Sequence, residues 1–482
     1  MSVLFVCASP RGRQSSSLWF SEYVEAALPA GTDVDRILLG DLGLEEDDPA
    51  SDLRFEDLVG RMQSARVVVW VLGLYTFGVP SGMRLLLDRL LAKTVPTDFA
   101  GRGVVALLTS AQFQDDRVLD RVRLMSEQLG FGWIGDASVL GNPVTGFERG
   151  RAVVLQAKRI AGEIADVVQG APVPPARSLP IDRQVLAPGP DRGPGRSDPP
   201  WEPASSGPDL SMMPAGPSPI LVLTGTSPDA DPAVAETIDA IRDAATRPVE
   251  VADLARVRLR HCTGCYACNR EVAGRCVQPD ALQAIRGRMA RAGAVVVVSR
   301  AGAAMPDLAL RRLAERMWGD CHRPPFTGIP GAVAVVRGGP VADLAGDDLA
   351  LFLSLTGIRV VGRWTDAPPD PQVRRQAVAL EIRRLERAMD EGVDESDRYS
   401  VTASRLAFRD MALRWSFFLR ADYRYHRVNG LLQDRSRWRH FGFRLLAHSQ
   451  RFFRAMLDGG RRKGELRHAH RLDVLRRERG QA

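Results

Sequence analysis

The feature that most constrains the fold of this chain is a repeated alternation of short apolar runs with helical patterns. Five runs rich in β-branched residues in the first third of the chain have the length of buried strands: Val3–Val6, Arg36–Leu39, Val67–Leu72, Val104–Leu108 and Trp133–Leu140. Amphipathic stretches separate them. Strands that alternate with helices form a parallel sheet covered on both faces. Residues 1–168 are therefore predicted to be a doubly wound α/β domain.

The same alternation returns after residue 218. Five further runs have strand character: Ile220–Leu223, Val249–Ala252, Ala294–Val298, Ala332–Val336 and Ile358–Val361. Each half opens with an apolar strand followed by Ser-Pro, at Ser9-Pro10 and again at Ser227-Pro228. The repeat predicts that residues 219–392 form a second, diverged copy of the first domain.

Two other segments differ in composition from these domains. Residues 169–218 are dense in Pro, Gly, Ser and Asp and lack periodicity, which predicts a flexible or partly extended linker. Residues 393–482 are predicted to be a basic helical extension, because residues 401–482 carry 20 Lys and Arg against 7 Asp and Glu. An apolar stripe in this extension at helical spacing predicts packing on the domains. Its members are Phe441, Leu445, Phe452 and Met456.

The composition is that of a water-soluble globular protein, with 45% apolar and 26% charged residues. No apolar run is long enough to span a bilayer, and the first strand has no basic segment before it that would indicate a signal peptide. A cytoplasmic location is therefore predicted. Four of the six cysteines lie within fifteen positions, which in a reducing compartment indicates metal or redox chemistry.

The loop CASPRGRQSSS joins the first strand to the first helix. Ser9, Ser15 and Ser16 can donate hydroxyl hydrogen bonds, Arg11 can neutralise charge, and Pro10 stiffens the turn. Hydroxyl and backbone donors at a helix N-terminus suit a phosphate monoester. The alternative is that the serines only cap the helix.

A second loop, GLYTFGVPSG, follows the third strand. Tyr75 and Phe77 stand just beyond the carboxyl end of that strand, at the edge where ligands bind in open α/β sheets. Exposed aromatic side chains there suit the face of a planar ring. The alternative is a connection in which both aromatics are simply packed.

Together the two loops resemble the flavodoxin-like NAD(P)H-dependent FMN reductase family, over residues 1–168 and more weakly over 219–390. The resemblance implies two tandem flavodoxin-like, doubly wound, five-stranded parallel sheets followed by the C-terminal helical basic extension. It also implies that the first loop holds the FMN phosphate and the second lies against the isoalloxazine. The chain departs from the family pattern at Ala8, Ser15 and Gly73. The residues that the resemblance assigns to FMN are Ser9, Pro10, Arg11, Ser15, Ser16, Leu74, Tyr75, Thr76, Phe77 and Gly78.

The second domain departs further from this pattern. Its Ser-Pro is followed by Asp229 and Asp231 in place of an arginine, and its third strand is followed by no tyrosine. Because two carboxylates would repel a phosphate, a second FMN held in the same way is not expected.

A cysteine motif distinguishes the second domain, in the segment HCTGCYACNREVAGRC. Four thiolates on a tight loop can converge on one metal centre. The spacing is similar to the cysteine motif of the iron–sulfur flavoproteins, which implies a four-iron four-sulfur cluster, with zinc and unmetallated thiols as alternatives. The predicted ligands are Cys262, Cys265, Cys268 and Cys276.

The prediction for function is an FMN-dependent NAD(P)H oxidoreductase whose electron acceptor the sequence does not identify. Hydride transfer to a flavin needs no protein acid or base, so no catalytic side chain is predicted. Relatives place the flavin at a subunit interface, which implies a homo-oligomer or an intramolecular pseudo-dimer. The alternative is a non-enzymatic binding or scaffold protein whose basic tail contacts an anionic membrane or nucleic acid.

Overall fold

The structure is a computed structural model of the 482-residue chain. It describes residues 2–44, 49–76, 78–110, 114–142, 146–147, 150–177, 218–257, 259–270, 276–300, 305–336, 342–365, 371–392, 399–416, 418–432 and 450–478. Two compact units are present. Unit 1 comprises Met1–Pro180, Thr263–Cys265 and Leu432–Ala482, and unit 2 comprises Ile181–Cys262 and Tyr266–Leu431. Among the described helices, none combines the length and the apolar character needed to cross a membrane.

Unit 1 is built on one sheet. Its strands are β1 (Ser2–Cys7), β2 (Asp33–Leu38), β3 (Val67–Gly73), β4 (Gly103–Ser110), β5 (Gly132–Asn142) and β6 (Gly146–Phe147). The order is β2-β1-β3-β4-β5-β6, and the first five strands pair in parallel while the short β6 runs antiparallel to β5. Every residue of β3 and β4 is buried, as a central parallel strand with both faces covered requires.

Six helices accompany this sheet: α1 (Ser16–Ala27), α2 (Leu39–Leu42), α3 (Pro49–Ser64), α4 (Ser81–Lys93), α5 (Asp115–Gln128) and α6 (Gly150–Val168). Apolar side chains of α1 and α6 share one core cluster with β1 and β3. Cys7 ends β1 inside this core, and its burial raises the pKa of the thiol to about 12. Of the predicted linker, residues 178–217 lie outside the described residues, whereas Val173 packs against the same core.

Unit 2 repeats the arrangement. Its strands are β7 (Ile220–Thr224), β8 (Val249–Asp253), β9 (Ala294–Arg300), β10 (Pro330–Val336) and β11 (Arg359–Thr365). They pair in parallel in the order β8-β7-β9-β10-β11, which matches the first five strands of unit 1. This strand order is flavodoxin-like, and the predicted fold class of two such sheets is confirmed.

The helices of unit 2 are α7 (Pro232–Ala244), α8 (Ala267–Arg270), α9 (Leu282–Arg291), α10 (Leu308–Arg316), α11 (Trp318–His322), α12 (Ala342–Leu355), α13 (Pro371–Glu391), α14 (Tyr399–Arg414) and α15 (Arg420–Val428). The sequence patterns do not predict α12. Nine of its fourteen residues are buried, and residues 349–353 are an unbroken buried apolar run, so its polar side is limited to the aspartates of its first half.

The C-terminal helix α16 (Gln450–Glu478) belongs to unit 1. Leu475 is buried in the core cluster of that unit and Leu472 packs against it. The predicted apolar stripe of Phe441, Leu445, Phe452 and Met456 stays a prediction, because Phe441, Leu445 and the side chains of Phe452 and Met456 lie outside the described part of the structure. Part of the basic extension is thus a packed element of unit 1.

Candidate functional site

The topology of unit 1 creates a crevice at the carboxyl ends of β1 and β3. Strand β1 has β2 on one side and β3 on the other. The loop that follows β1 and the loop that follows β3 therefore lead to opposite sides of the sheet, which opens a gap between them. The backbone N–H of Ala8, directly after β1, donates to the carbonyl of Val71 in β3 at 2.9 Å. The loops that follow the two strands therefore start side by side.

The first loop holds polar side chains at the start of α1. Ser15 is the N-cap, and its Oγ accepts a hydrogen bond from Leu18 N at 3.1 Å. The capping interpretation is correct for Ser15, yet a hydroxyl that accepts still carries a proton to donate. Ser9 is buried and its Oγ accepts from Arg11 N at 3.4 Å. Arg11, Ser16 and Pro10 are half-buried.

The second loop is a tight turn directly after β3. The N–H of Tyr75 donates to the carbonyl of Gly78 at 3.0 Å, and the N–H of Gly78 donates to the carbonyl of Tyr75 at 3.1 Å. Thr76 is buried and has a φ of 41°, which is a left-handed conformation. For a residue other than glycine this conformation destabilises the backbone by about 1–3 kcal/mol. Such strain concentrates at ligand-binding loops. Phe77 lies outside the described residues.

Further contacts hold these loops against the sheet. Leu74 N donates to the carbonyl of Thr109 at 2.9 Å. The Thr109 hydroxyl also lies 2.5 Å from the Ser17 hydroxyl, which joins β4 to the first turn of α1. Sequence analysis did not single out Ser17 or Thr109, because the two residues stand 92 positions apart and only the parallel pairing brings them together.

Two glycines make the close approach possible. A Cβ on Gly73 would lie 3.0 Å from the ring of Tyr75 and 3.4 Å from Ser17 Oγ. A Cβ on Gly141 would lie 3.0 Å from Ser16 Oγ. The absence of a side chain at Gly73 therefore accommodates the tyrosine ring.

The donor chemistry of this crevice fits FMN. Three serine hydroxyls, an arginine and the start of α1 are suited to a phosphate dianion, and the strained turn presents a half-buried tyrosine beside them. All but one of the residues predicted to bind FMN are described, and they lie on the two loops at this crevice.

The equivalent position in unit 2 holds acidic side chains of the chain itself. Asp231 caps α7 by accepting a hydrogen bond from Ala233 N at 2.9 Å, and it pairs with Arg300 at 3.1 Å; both charged side chains are buried. The carboxylate of Asp307 accepts from Arg300 N at 3.0 Å. A Cβ on Gly225, the residue after β7, would lie 2.5 Å from Asp307 Cβ. This helix start therefore already carries an anion.

The four cysteines of the predicted metal centre differ in exposure. Cys265 is exposed and belongs to unit 1, whereas Cys262, Cys268 and Cys276 are half-buried in unit 2. The Cys268 thiol donates to Asn269 Oδ1 at 3.1 Å, and burial raises its pKa. Among the described residues, which include all four cysteines, no three His, Cys, Asp or Glu side chains are placed to hold a metal ion. The predicted metal centre is therefore not shown by the described residues and stays a prediction.

Arg316 fastens both ends of the cysteine segment. Its guanidinium donates to the carbonyl of Arg260 at 2.9 Å, to Asp280 Oδ2 at 2.5 Å and to Cys276 Sγ at 3.3 Å. The Arg316 and Asp280 side chains are buried. Asp280 is therefore a buried partner of this arginine.

Unit 2 also contains a buried polar network that sequence analysis missed. Asp422 Oδ2 accepts from His322 Nδ1 at 2.8 Å and from Asn269 Nδ2 at 2.8 Å, and Asp422 Oδ1 lies 3.1 Å from Arg323 Nε. The carboxylate on α15 thereby ties α8 to α11. Nearby, burial lowers the pKa of His426 to about 4. No sequence spacing indicates a link across 100 or more positions.

Comparison with known proteins agrees with the position of the crevice. The sequence profile of the NADPH-dependent FMN reductase family matches residues 1–143, less than half of the chain. A search of curated proteins finds none that is similar to this chain.

Several solved structures are similar to about a third of the chain. An FMN-dependent NADH-azoreductase from Bacillus anthracis is 16% identical, with 34% of this chain and 100% of that chain covered and a TM-score of 0.29. An NAD(P)H:quinone oxidoreductase from Methanothermobacter marburgensis is 16% identical, with 34% and 96% covered and a TM-score of 0.27. An oxidoreductase from Corynebacterium diphtheriae is 18% identical, with 35% and 97% covered and a TM-score of 0.29.

Proposed function

We propose that unit 1 is an FMN-dependent oxidoreductase that takes electrons from NAD(P)H. The observation that carries the proposal is the meeting of two loops at one crevice: a hydroxyl- and arginine-bearing loop at the start of α1, and a strained, tyrosine-bearing turn after β3. Both loops lie inside the segment that the FMN reductase profile matches.

Each loop has its own part in this proposal. The hydroxyls of Ser9, Ser15 and Ser16 donate to phosphate oxygens, Arg11 neutralises the phosphate charge, and the start of α1 adds its favourable dipole. Residues 74–78 lie against the isoalloxazine ring, with Tyr75 as the planar contact. Bound FMN would provide the redox chemistry, which is to accept a hydride from NAD(P)H and to pass electrons to an acceptor. No side chain is assigned a catalytic role.

An arginine pair in the first loop provides the test. Arg11→Glu places a negative charge beside the phosphate, and a charge-assisted hydrogen bond lost there weakens FMN binding by about 10- to 100-fold. Arg13→Glu is the matched control, because Arg13 is exposed in the same loop and carries the same charge. The measurements are FMN affinity by fluorescence titration and NAD(P)H oxidation with a quinone acceptor. Equal effects of the two variants would refute the phosphate assignment, and absence of NAD(P)H oxidation would leave only a flavin-binding protein.

The cysteine segment has no step in this proposal, since no group of side chains placed to hold a metal ion is found among the described residues. An iron–sulfur cluster or zinc at Cys262, Cys265, Cys268 and Cys276 stays a prediction, which iron, sulfide and zinc quantified per chain after anaerobic purification would test. Homo-oligomerisation, the electron acceptor and a cytoplasmic location likewise stay predictions.

The scaffold alternative concerns the outer face of α16. Arg462, Lys463, Arg467 and Arg477 are exposed on this helix, and such a face can contact anionic membranes or nucleic acid. Salt-sensitive binding of the full chain to anionic vesicles or DNA, lost on deletion of residues 450–482, would support this alternative.

A further inference from the structure

We propose that α16 is a positioning element for α1, and that His468 is the residue through which it acts. This inference rests on the proposed function, because the start of α1 is the proposed phosphate site. It assigns part of the basic C-terminal extension a role in flavin affinity inside unit 1.

His468 contacts three residues of α1. Its ring stacks on Trp19 at 5.0 Å with an interplanar angle of 14°, and it lies 5.0 Å from the ring of Tyr23. Nε2 of His468 lies 2.5 Å from Glu22 Oε2. Because a carboxylate only accepts hydrogen bonds, Nε2 carries the proton and donates it. One imidazole thus holds α1 by stacking and by a charge-assisted hydrogen bond.

These contacts fall close to the proposed phosphate site. Trp19 is four residues beyond the N-cap Ser15, which corresponds to about 6 Å along the helix axis. An α-helix is stiff over such a length, so the contacts of His468 with Trp19 and Glu22 also fix the position of the first turn. The hydroxyls of Ser15 and Ser16 move with that turn.

Two further residues of α16 pack against unit 1. Leu475 is buried in the core that also contains Phe20 and Tyr23 of α1. The Arg471 guanidinium lies directly against Gly150, the first residue of α6, where a Cβ would overlap it. Leu475 therefore buries apolar surface in the core of unit 1, and Arg471 packs against the start of α6.

A contact of different character supplies the control. Lys158 pairs with Glu478 at 2.5 Å, but both side chains are about half exposed. Exposed pairs of this kind contribute little, and this one involves α6 and the end of α16 rather than α1. Loss of Lys158 should therefore leave the start of α1 in place.

The experiment compares FMN with riboflavin, which has the same ring system but no phosphate. Affinities for both are measured by fluorescence titration on the full chain for wild type, His468→Ala, His468→Gln and Lys158→Ala, with circular dichroism to check folding. We expect His468→Ala to weaken FMN binding about tenfold and to leave riboflavin affinity within about twofold. His468→Gln keeps a donor toward Glu22 and should recover most of the loss, and Lys158→Ala should match wild type.

The outcomes separate this inference from the proposed function. Equal weakening of FMN and riboflavin in His468→Ala would show that α16 only supports the fold, and unchanged FMN affinity would show that it does not position α1; either result overturns the inference. Failure of the wild-type protein to bind FMN would overturn the proposed function, and this inference with it.

Discussion

Replacing Asp231 by alanine should destabilise unit 2 strongly, because this carboxylate makes two buried interactions at the start of α7. It caps the helix through Ala233 N, and the loss of an N-cap costs about 1 kcal/mol. It also faces Arg300 at 3.1 Å with both side chains nearly inaccessible, and breaking such a pair costs about 3 kcal/mol at the lower end of the usual range. The free energy of unfolding of unit 2 should therefore fall by about 4 kcal/mol.

Two companion variants divide this effect. Asp231→Asn retains a capping oxygen and loses the charge, so it should lose only the ion-pair part, about 3 kcal/mol. Asp229→Ala is the matched control on the same loop, because Asp229 is exposed and pairs with the exposed Arg256; its loss should cost at most about 1 kcal/mol.

The assay is urea unfolding of the full chain, with the transition of unit 2 followed by hydrogen-exchange mass spectrometry of peptides from its buried strand β9, because the eight tryptophans of the chain make total fluorescence unspecific for either unit. Equal midpoints for Asp231→Ala and Asp229→Ala would refute the argument that the helix start of unit 2 carries a required internal anion.

Two other predictions concern titratable groups. Cys265 is exposed and should react first with a disulfide reagent at pH 8. Cys7 should react only on unfolding, because burial raises the pKa of its thiol to about 12. Mass spectrometry of the labelled peptides checks this order, and early labelling of Cys7 would contradict it. Burial lowers the pKa of His426 to about 4 in the folded chain, whereas the unfolded value is about 6.5. Between these two values the unfolded chain binds one more proton, so the free energy of unfolding should fall by up to about 3 kcal/mol as the pH falls from 6.5 to 4. His426→Leu should flatten this part of a pH–stability curve measured by urea unfolding, and replacement of the exposed His470 by Gln should not; equal curves for the two variants would contradict the burial argument.

Local patterns predict the strands and the first loop. Runs such as Val67–Leu72 are visible because β-branched residues concentrate where a strand is buried on both faces. The serines and Arg11 of the first loop lie within eight positions of one another, so their shared chemistry can be read directly. The same patterns fail for α12, in which residues 349–353 are an unbroken run of buried apolar side chains.

The cysteine segment depends on more than spacing. Four cysteines within fifteen positions predict a common centre, which stays a prediction, and the structure adds contacts that spacing does not indicate, of Arg316 with Cys276 and of Asn269 with Cys268. Chain proximity brings side chains within reach of each other, whereas their directions depend on the elements that pack around the loop.

By itself the sequence determined the two α/β repeats and the polar loop at the start of α1, because both follow from patterns among residues that are close together in the chain. Only the tertiary structure decided that Thr109 meets Ser17, that Asp422 meets His322, and that His468 returns to α1. Such pairs are separated by about 90 to 450 positions, and burial of apolar surface, which is not directional, holds their elements within hydrogen-bonding distance.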